Sequence, residues 1–249
     1  MRIFICGISG RMGSALCAEA IACGHSVAGG IDEKPNMFPV FLTADKVRCN
    51  FDAIIDFSSP SLLPETMKLI AQTRRPAVIC TTGLSDDDCD ALRGLAAYSP
   101  VFRSGNVSRG IGVASLLVRV AAEKLRDFDA EIVETHHRTK ADAPSGTAKL
   151  LAGEIVKARH DLTPVFNRDG KRKPNEIGIA SVRGGTICGE HEVVFAGDDE
   201  TLIIRHVACS RRVFARGALD AAEFLLTKKT GLYSLDDLYS DNTTVKNAP

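Results

Sequence analysis

The first hundred residues alternate between short apolar runs and segments with helical periodicity, and this alternation limits the possible folds more than any other feature. The apolar runs, which have the length of buried strands, cover residues 3–6, 26–31, 53–57, 77–80 and 101–102. Repeated strand–helix units with short connections predict a doubly wound parallel sheet. In such sheets ligands bind beyond the carboxyl ends of the strands, so the loops after these runs are expected to line one crevice.

The loop after the first strand is rich in glycine. Its sequence over residues 7–13, Gly-Ile-Ser-Gly-Arg-Met-Gly, has a glycine at every third position, with Ser9 and Met12 at two glycine positions of the usual G-x-G-x-x-G pattern. Alone, this loop is also compatible with a plain tight turn. A helix, a strand and then Asp32 follow, however, and an acid about 20 residues beyond such a loop is typical of a dinucleotide site. We therefore predict that the loop and the helix N-terminus bind a pyrophosphate.

A second stretch that contains candidate catalytic residues begins at residue 131. Residues 131–135 have the pattern of a half-buried strand, and His136, His137, Arg138 and Lys140 follow within five positions. A histidine with an ordinary pKa of about 6.5 can transfer a proton at neutral pH, and a lysine can supply a second one. Taken singly, each of these side chains is equally typical of a solvated surface.

A helix is predicted to start directly after this cationic loop. Ser145 has the character of an N-cap residue. The apolar stripe of the helix consists of Ala148, Leu151, Ala152, Ile155 and Val156. The first amides of the helix, at Gly146 and Thr147, would point toward the histidines and bind an anion. An anion-binding helix end beside movable protons predicts a site for a carboxylate substrate.

Beyond residue 106 the pattern changes. A helix is predicted over residues 111–125, with Val113, Leu116, Leu117 and Val120 on one face. Strands are then predicted over residues 177–183, 192–195 and 201–209, before a last helix over 215–228. This half is predicted to be an α+β domain with an open mixed sheet, one face of which is a candidate oligomer surface.

These patterns predict two domains. Residues 1–107 with 217–249 would form a Rossmann-like dinucleotide-binding domain. Residues 108–216 would form the domain for substrate binding, catalysis and oligomerisation.

Composition excludes several classes of function. The chain has 31 basic and 31 acidic residues, so no overall field favours nucleic acid or an anionic membrane. It shows no signal-peptide layout and no apolar run of membrane-spanning length. The eight cysteines form no C-x-x-C pair, and Cys6, Cys80 and Cys209 are expected to be reduced core residues of a cytoplasmic protein. No metal is expected, because the histidines and cysteines lack ligand spacing.

The segment over residues 134–148, Glu-Thr-His-His-Arg-Thr-Lys-Ala-Asp-Ala-Pro-Ser-Gly-Thr-Ala, resembles the signature of the 4-hydroxy-tetrahydrodipicolinate reductases. This family, also called the dihydrodipicolinate reductases, acts in the diaminopimelate/lysine pathway. Further segments similar to family motifs are residues 7–13, 80–83 and 104–107 in the cofactor loops, and 181–185, 189–191 and 210–219 in the second half. The resemblance therefore covers nearly the whole chain.

The resemblance implies a reaction and a set of site residues. The enzyme would reduce a cyclic dicarboxylate imine to tetrahydrodipicolinate, with loss of water, using NADH or NADPH. His136 would be the proton donor and acceptor and Lys140 the second proton donor. His137, Gly146 and Thr147 would contact the substrate. The implied cofactor-binding residues are Gly7, Ile8, Ser9, Gly10, Arg11, Met12, Asp32, Cys80, Thr81, Thr82, Ser104, Gly105, Asn106 and Val107. A homotetramer, built through the second-domain sheet, is implied as well.

Two positions depart from the family pattern. Cys80 stands where the family usually has a glycine beside the nicotinamide ribose, so its side chain is expected to reshape that contact. Asp32 is followed by Glu33 and Lys34, whereas members that use both nucleotides carry an arginine beside the acid. Two carboxylates should repel a 2′-phosphate, which favours NADH, and Lys34 would act in the opposite direction.

Two other functions stay open on sequence grounds. One is another nicotinamide-dependent oxidoreductase of the same architecture, acting on a sugar or aldehyde. It would need a catalytic lysine but not the doubled histidine or the Pro-Ser-Gly-Thr turn. The other is a nucleotide-sensing protein without turnover, in which the catalytic loop would be eroded. Both His136 and Lys140 are present, which favours the reductase.

Overall fold

In a computed structural model of the chain, which describes residues 1–240, the predicted alternation of strands and helices is observed. The strands are Arg2–Cys6 (β1), Ser26–Ile31 (β2), Val40–Phe41 (β3), Ala53–Asp56 (β4), Ala77–Ile79 (β5), Pro100–Arg103 (β6), Asp129–His136 (β7), Thr163–Phe166 (β8), Glu176–Arg183 (β9), Glu190–Ala196 (β10), Thr201–Val207 (β11) and Gly231–Tyr233 (β12). The α-helices are Arg11–Ala22 (α1), Leu63–Thr73 (α2), Asp86–Ala96 (α3), Arg109–Lys124 (α4), Gly146–Ala158 (α5), Arg212–Leu225 (α6) and Leu235–Ser240 (α7).

The described residues divide into two compact units. Unit 1 comprises residues 1–108 and 212–240, and unit 2 comprises residues 109–211. Residues 241–249, which the sequence analysis assigned to the first domain, lie outside the described residues.

Unit 1 contains a seven-stranded sheet in which every strand pair is parallel, in the order β12-β6-β5-β4-β1-β2-β3. This confirms the predicted Rossmann-like architecture. The chain proceeds from β1 to β2 on one side and later to β4 on the other, so the topological switch point lies between the carboxyl ends of β1 and β4. Phe4, Ile54 and Ile79 lie in the apolar core beneath this edge of the sheet.

Helix α6 completes unit 1 from the far end of the described chain. It contacts α1 and strands β4, β5 and β6. Gly217 faces the carbonyl of Val107 so closely that a methyl group on it would overlap the carbonyl oxygen. The helix begins at Arg212, three residues before the predicted start.

Unit 2 contains a five-stranded sheet in the order β11-β10-β7-β9-β8. Strands β7, β8 and β9 run parallel, whereas β10 is antiparallel to both β7 and β11, which confirms the predicted mixed sheet. Residues from α4 and α5 pack with one face of the sheet in a single apolar core.

The face of α4 that carries the predicted apolar stripe is not the buried face. Val113, Leu117 and Val120 are exposed, and Leu116 is only half-buried. The buried face consists of Ile111, Gly112, Ala114, Ser115, Val118, Ala121 and Ala122. Because these side chains are mostly small, they allow α4 to pack closely against α5, which it contacts along much of its length.

The other side of the unit 2 sheet carries exposed apolar side chains. Strand register places Val133, Val182, Ile203 and Val207 on this side, which we call the open face. All four are more than a third exposed. The predicted uncovered sheet face is therefore present.

The fold determines which cysteines are buried and whether any helix could cross a membrane. Cys6 and Cys80 are buried as predicted, but Cys209 is exposed because β11 ends before it, at Val207. Within residues 1–240, no helix has both the length and the apolar character that crossing a membrane requires.

Candidate active site

The glycine loop of unit 1 is shaped by close backbone contacts. Gly7 has a φ of +79°, and a Cβ on it would lie 2.8 Å from the carbonyl oxygen of Phe57. A Cβ on Gly13, in the first turn of α1, would overlap the carbonyl oxygens of Gly7 and Ile8. The loops after β1 and β4 thus meet at the switch point, and glycine keeps the start of α1 free of side chains there.

Asp32, at the end of β2, is tied to this loop. One carboxylate oxygen accepts a hydrogen bond from the Ser9 amide (2.9 Å), and the other accepts from the amides of Glu33 (2.8 Å) and Lys34 (3.3 Å). The Ser9 hydroxyl donates to the Lys34 carbonyl (2.8 Å). A groove of about 400 Å³ adjoins Asp32 and is lined by Asp32, Glu33, Lys34, Pro35, Asn36, Phe38, Val40 and Leu42. The structure thus brings the predicted ribose acid and the predicted pyrophosphate loop together.

A buried carboxylate joins the loops after β4 and β5. Asp56 accepts hydrogen bonds from the Thr81 hydroxyl (2.6 Å) and the Ser58 amide (3.1 Å). Burial raises the pKa of the Asp56 carboxyl, against the effect of these hydrogen bonds. Cys80 is buried beside it, and burial together with the charge of Asp56 raises the pKa of its thiol. Asp56 therefore orients Thr81, a predicted cofactor residue, through a contact that the sequence analysis missed.

The other predicted cofactor residues of unit 1 differ in how they are presented. Ile8 and Val107 are buried in the core, so only their backbone groups are available to a ligand. The Ser104 hydroxyl donates to the Asn106 carbonyl (2.5 Å), which closes the loop after β6. Gly105 lies close to Thr82, since a Cβ on it would be 3.6 Å from the Thr82 methyl. In the glycine loop, Gly10 and Arg11 are exposed and Met12 is half-buried.

In unit 2, His136 and Glu134 form a buried pair. Both side chains lie on the covered side of β7, because residues two apart in a strand share a face. Nδ1 of His136 is hydrogen-bonded to Oε2 of Glu134. The other carboxylate oxygen accepts from the Arg183 guanidinium (2.8 Å) and the Ser145 amide (3.3 Å). Arg183 also donates to the Asp142 carbonyl (2.6 Å), which ties the end of β9 to the loop after β7.

A second buried histidine lies against this pair. The His191 ring contacts the His136 ring edge-on, with 5.1 Å between centroids. Its Nε2 is 3.1 Å from the Ser145 hydroxyl. Burial, reinforced by the neighbouring His136, lowers the pKa of His191 to about 3, so this imidazole is neutral at physiological pH.

The polar loop after β7 carries the remaining predicted proton donor. The Lys140 ammonium lies 2.6 Å from a carboxylate oxygen of Asp142, and the Lys140 amide donates to the His137 carbonyl (3.1 Å). Burial alone would raise the pKa of Asp142, but Lys140 outweighs it and holds that pKa below the ordinary value. Nδ1 of His137 is 2.9 Å from the Thr139 hydroxyl, outside the Glu134 network.

The predicted start of α5 is confirmed. The Ser145 hydroxyl caps the helix by accepting from the Ala148 amide (3.2 Å). Gly146 is exposed at the first helical position, and Thr147 behind it is buried. Because the Ser145 amide is bonded to Glu134, the helix end, His136 and Arg183 belong to one hydrogen-bonded cluster.

Both halves of the chain match one family. Residues 1–107 match the model "Dihydrodipicolinate reductase, N-terminus", and residues 110–239 match "Dihydrodipicolinate reductase, C-terminus". The chain belongs to the dihydrodipicolinate reductase family.

Relatives agree with this assignment over nearly full length. The chain is 43% identical to the 4-hydroxy-tetrahydrodipicolinate reductase of Caldanaerobacter subterraneus, over 96% of this chain and 98% of the relative. It is 47% identical to the enzyme of the same name from Exiguobacterium sibiricum, over 81% and 82%. The fold is similar to that of dipicolinate-bound dihydrodipicolinate reductase from Paenisporosarcina sp. TG-14, with a TM-score of 0.77, 24% identity, and coverage of 95% and 98%.

The hydrogen-bonded cluster of unit 2 also contains three side chains that are able to bind a metal ion. Ligand atoms of Glu134, His136 and His191 lie within 4.8 Å of one another. Glu134, however, is already paired with the Arg183 guanidinium at 2.8 Å, and a cation in this position disfavours a second one. The arrangement fits proton transfer better than metal binding.

Three members of this cluster were missed as site residues by the sequence analysis: Glu134, Arg183 and His191. The position of Glu134, two residues before His136 on a strand, was a usable indication. Arg183 and His191 come from β9 and β10, whose register against β7 places Arg183 opposite His136 and His191 opposite Glu134.

Proposed function

We propose that this chain reduces 4-hydroxy-tetrahydrodipicolinate to tetrahydrodipicolinate, with loss of water, in diaminopimelate and lysine biosynthesis. The observation that carries the proposal is the cluster in unit 2 that joins His136, through Glu134, to the capped start of α5. Membership of the reductase family and the names of the curated relatives support it.

Residues 1–107 with 217–249 are proposed to hold the nicotinamide nucleotide, and residues 108–216 the substrate. The glycine loop fits such a ligand, because a Cβ at Gly7 or Gly13 would collide with neighbouring backbone and displace the loop at the start of α1. Asp32 would accept hydrogen bonds from ribose hydroxyls. When bound, the reduced nucleotide supplies the hydride.

The residues of unit 2 would manage the charges and protons of the substrate. The helix end at Gly146 and Thr147, with His137, would bind the substrate carboxylates. Loss of the 4-hydroxyl as water gives a conjugated C=C–C=N system, and addition of hydride to it leaves an enamine that must take up a proton. His136 would transfer this proton at Nε2, since its Nδ1 is bonded to Glu134, and Lys140 would be the second donor.

NADH is the proposed preferred nucleotide. Asp32 and Glu33 put two carboxylates beside the groove in which the adenosine ribose would bind, and these would repel a 2′-phosphate. Lys34 in the same groove would reduce this repulsion. A KM for NADPH tenfold or more below that for NADH would contradict the preference.

A homotetramer assembled through the open face is the proposed functional form. Isolated apolar side chains are common on protein surfaces, but four on one sheet face form a patch typical of an interface. The cytoplasm is the proposed compartment, consistent with the eight free cysteines.

A coupled assay tests the reaction. The upstream synthase would generate the unstable substrate in place, and the absorbance of reduced nicotinamide would be followed separately with NADH and NADPH. Oxidation that depends on this substrate, and that is lost in a His136→Ala, Lys140→Gln double variant, is the expected result.

The alternatives predict different outcomes. No oxidation with either nucleotide, by folded protein that binds them, would contradict the proposal and favour an oxidoreductase with another substrate. A nucleotide sensor would keep its nucleotide response in the double variant. The reductase variant should bind nucleotide and yet lose turnover.

A further inference from the structure

Glu134 is the most completely enclosed carboxylate of unit 2 among the described residues. Its side chain is 0% exposed, and both oxygens are bonded, one to His136 and the other to Arg183 and the Ser145 amide. Burying a carboxylate is costly unless every partner is in place. The preceding covered positions of β7, Ala130 and Ile132, are apolar, so a carboxylate at position 134 is costly unless its charge acts on His136.

The charge state of Glu134 decides the proton positions around it. Burial favours the neutral acid, but hydrogen bonds from Arg183 and His136 outweigh burial and hold the pKa of Glu134 below its ordinary value. An ionised carboxylate only accepts hydrogen bonds. Nδ1 of His136 must therefore carry the proton in the Glu134 contact, which leaves Nε2 as the nitrogen that exchanges protons.

The space beside Nε2 is kept open by a glycine. A Cβ on Gly189 would lie 3.0 Å from Nε2 of His136 and 3.3 Å from Cδ2. This contact is tighter than ordinary van der Waals packing, so any side chain at position 189 would crowd the nitrogen that Glu134 leaves available.

Among the groups around His136, Glu134 is the one that most favours a positive charge on the imidazole ring. Burial lowers the pKa of His136, and Glu134 acts in the opposite direction. The neighbouring groups are Arg183 from β9, His191 from β10, and Lys140 and Asp142 from the loop after β7. Arg183 and Lys140 disfavour a second positive charge, and His191 is neutral at physiological pH.

We infer that Glu134 is a positioning residue for proton transfer: it fixes the His136 tautomer and offsets the positive charge that forms when Nε2 is protonated, while Gly189 keeps Nε2 accessible. This inference rests on the proposed function, in which His136 moves the proton. Arg183 and the Ser145 amide would hold the carboxylate in place, and Ser145 would thereby couple the helix end to the histidine.

Nitrogen-15 NMR of the full-length protein, without substrate or nucleotide, tests the tautomer directly. Wild-type protein should show neutral His136 protonated at Nδ1, assigned by comparison with a His136→Ala variant. In Glu134→Gln the amide oxygen can still accept from Nδ1, but the charge is lost, so His136 should titrate at lower pH than in wild type. Neutral His136 protonated at Nε2 in the wild type would overturn the inference, and this result does not depend on whether Glu134→Gln folds.

Steady-state kinetics supply the second readout. Glu134→Gln should lower kcat about 100-fold, with the alkaline limb of the kcat profile moved to lower pH and the KM for NADH unchanged. Glu154→Gln is the matched control, because Glu154 is also buried in unit 2 and paired with an arginine, Arg119. Equal losses in both variants, or an unmoved pH profile in Glu134→Gln, would contradict a positioning role.

Gly189→Ala tests the access of Nε2 separately. It leaves Glu134 and its partners unchanged, so it should lower kcat by tenfold or more while the Nδ1 tautomer persists. Unchanged kcat would contradict the role of Gly189. If wild-type protein fails to reduce the substrate, the proposed function fails, whereas the NMR result still decides the Glu134–His136 relation.

Discussion

At the scale of single residues, His191 links the site to acid stability. Burial, reinforced by His136, lowers its pKa from 6.5 to about 3, so between these values the unfolded chain binds a proton that the folded chain does not. Stability contributed by neutral His191 is therefore fully present above pH 6.5 and is lost as the pH falls toward 3. Between these pH values the free energy of unfolding falls by about 1.4 kcal/mol for each unit that the pH is lowered.

His191→Gln removes this titrating group but keeps a partner for Ser145. We expect its free energy of unfolding to fall less steeply between pH 6 and pH 4 than that of the wild type. The difference in slope should be at most about 1.4 kcal/mol per pH unit, the value for one proton. Urea denaturation across this range measures the difference. Glu134, His136, His206 and Lys140 face His191 and remain in both proteins. The exposed His160→Gln serves as control, and an identical slope in all three proteins would refute the prediction.

Lys140 provides a second prediction at this scale. As the proposed second proton donor, its replacement by glutamine should lower kcat by about 100-fold, because general acid catalysis contributes at least that much. Lys124→Gln, at the exposed end of α4, changes charge by the same amount and should leave kcat unchanged. Stopped-flow single turnovers would separate loss of chemistry from slow product release. Equal kcat in the two variants would contradict a catalytic role for Lys140.

At the scale of elements, periodicity located long helices and strands but not the smallest ones. Strands β3, β8 and β12 were missed because they have two to four residues and lie at sheet edges, where apolar patterning is weak. In α4 both faces are apolar, and the sequence could not show that the small side chains, rather than Val113 and Leu117, meet α5.

In the candidate site, too, the sequence was informative only for residues that lie close together in the chain. The cationic loop and the Ser145 cap are local, so their sequence was sufficient. Two neighbours of Glu134 were not local: Arg183 lies 49 positions away, and His191 lies opposite Glu134 only through the register of β10 against β7. Register between distant strands depends on packing that no short motif records.

The start of α1 gives a prediction about backbone contact. Gly13→Ala puts a methyl group where it would overlap two carbonyl oxygens, so unfolding should become easier by about 2 kcal/mol. Nucleotide affinity should fall as well, because the loop must move. Gly94→Ala, in exposed α3 with nothing within 4 Å of the added Cβ, should instead stabilise the protein by up to about 1 kcal/mol. Thermal unfolding with and without NADH measures both effects, and similar behaviour of the two variants would contradict the packing argument.

At the scale of the whole molecule, the open face predicts the assembly state. Ile203 is 51% exposed in the single chain, and Ile203→Lys would bury a charge in every copy of the proposed interface. We expect light scattering at micromolar concentration to give a tetramer for wild type and a smaller species for this variant. Leu226→Lys, at an exposed leucine of unit 1, should stay tetrameric. A wild-type monomer or dimer would refute the tetramer.

The discontinuous make-up of unit 1 has a consequence for biosynthesis. Unit 2 is one continuous segment, so its five strands and two helices all emerge from the ribosome before α6 does. Unit 1 must wait for α6, which covers β4, β5 and β6, and for the edge strand β12. Unit 2 can therefore finish folding before unit 1, although most of unit 1 is synthesised earlier. The sheet of unit 1 is the part of the nascent chain that depends longest on chaperone protection.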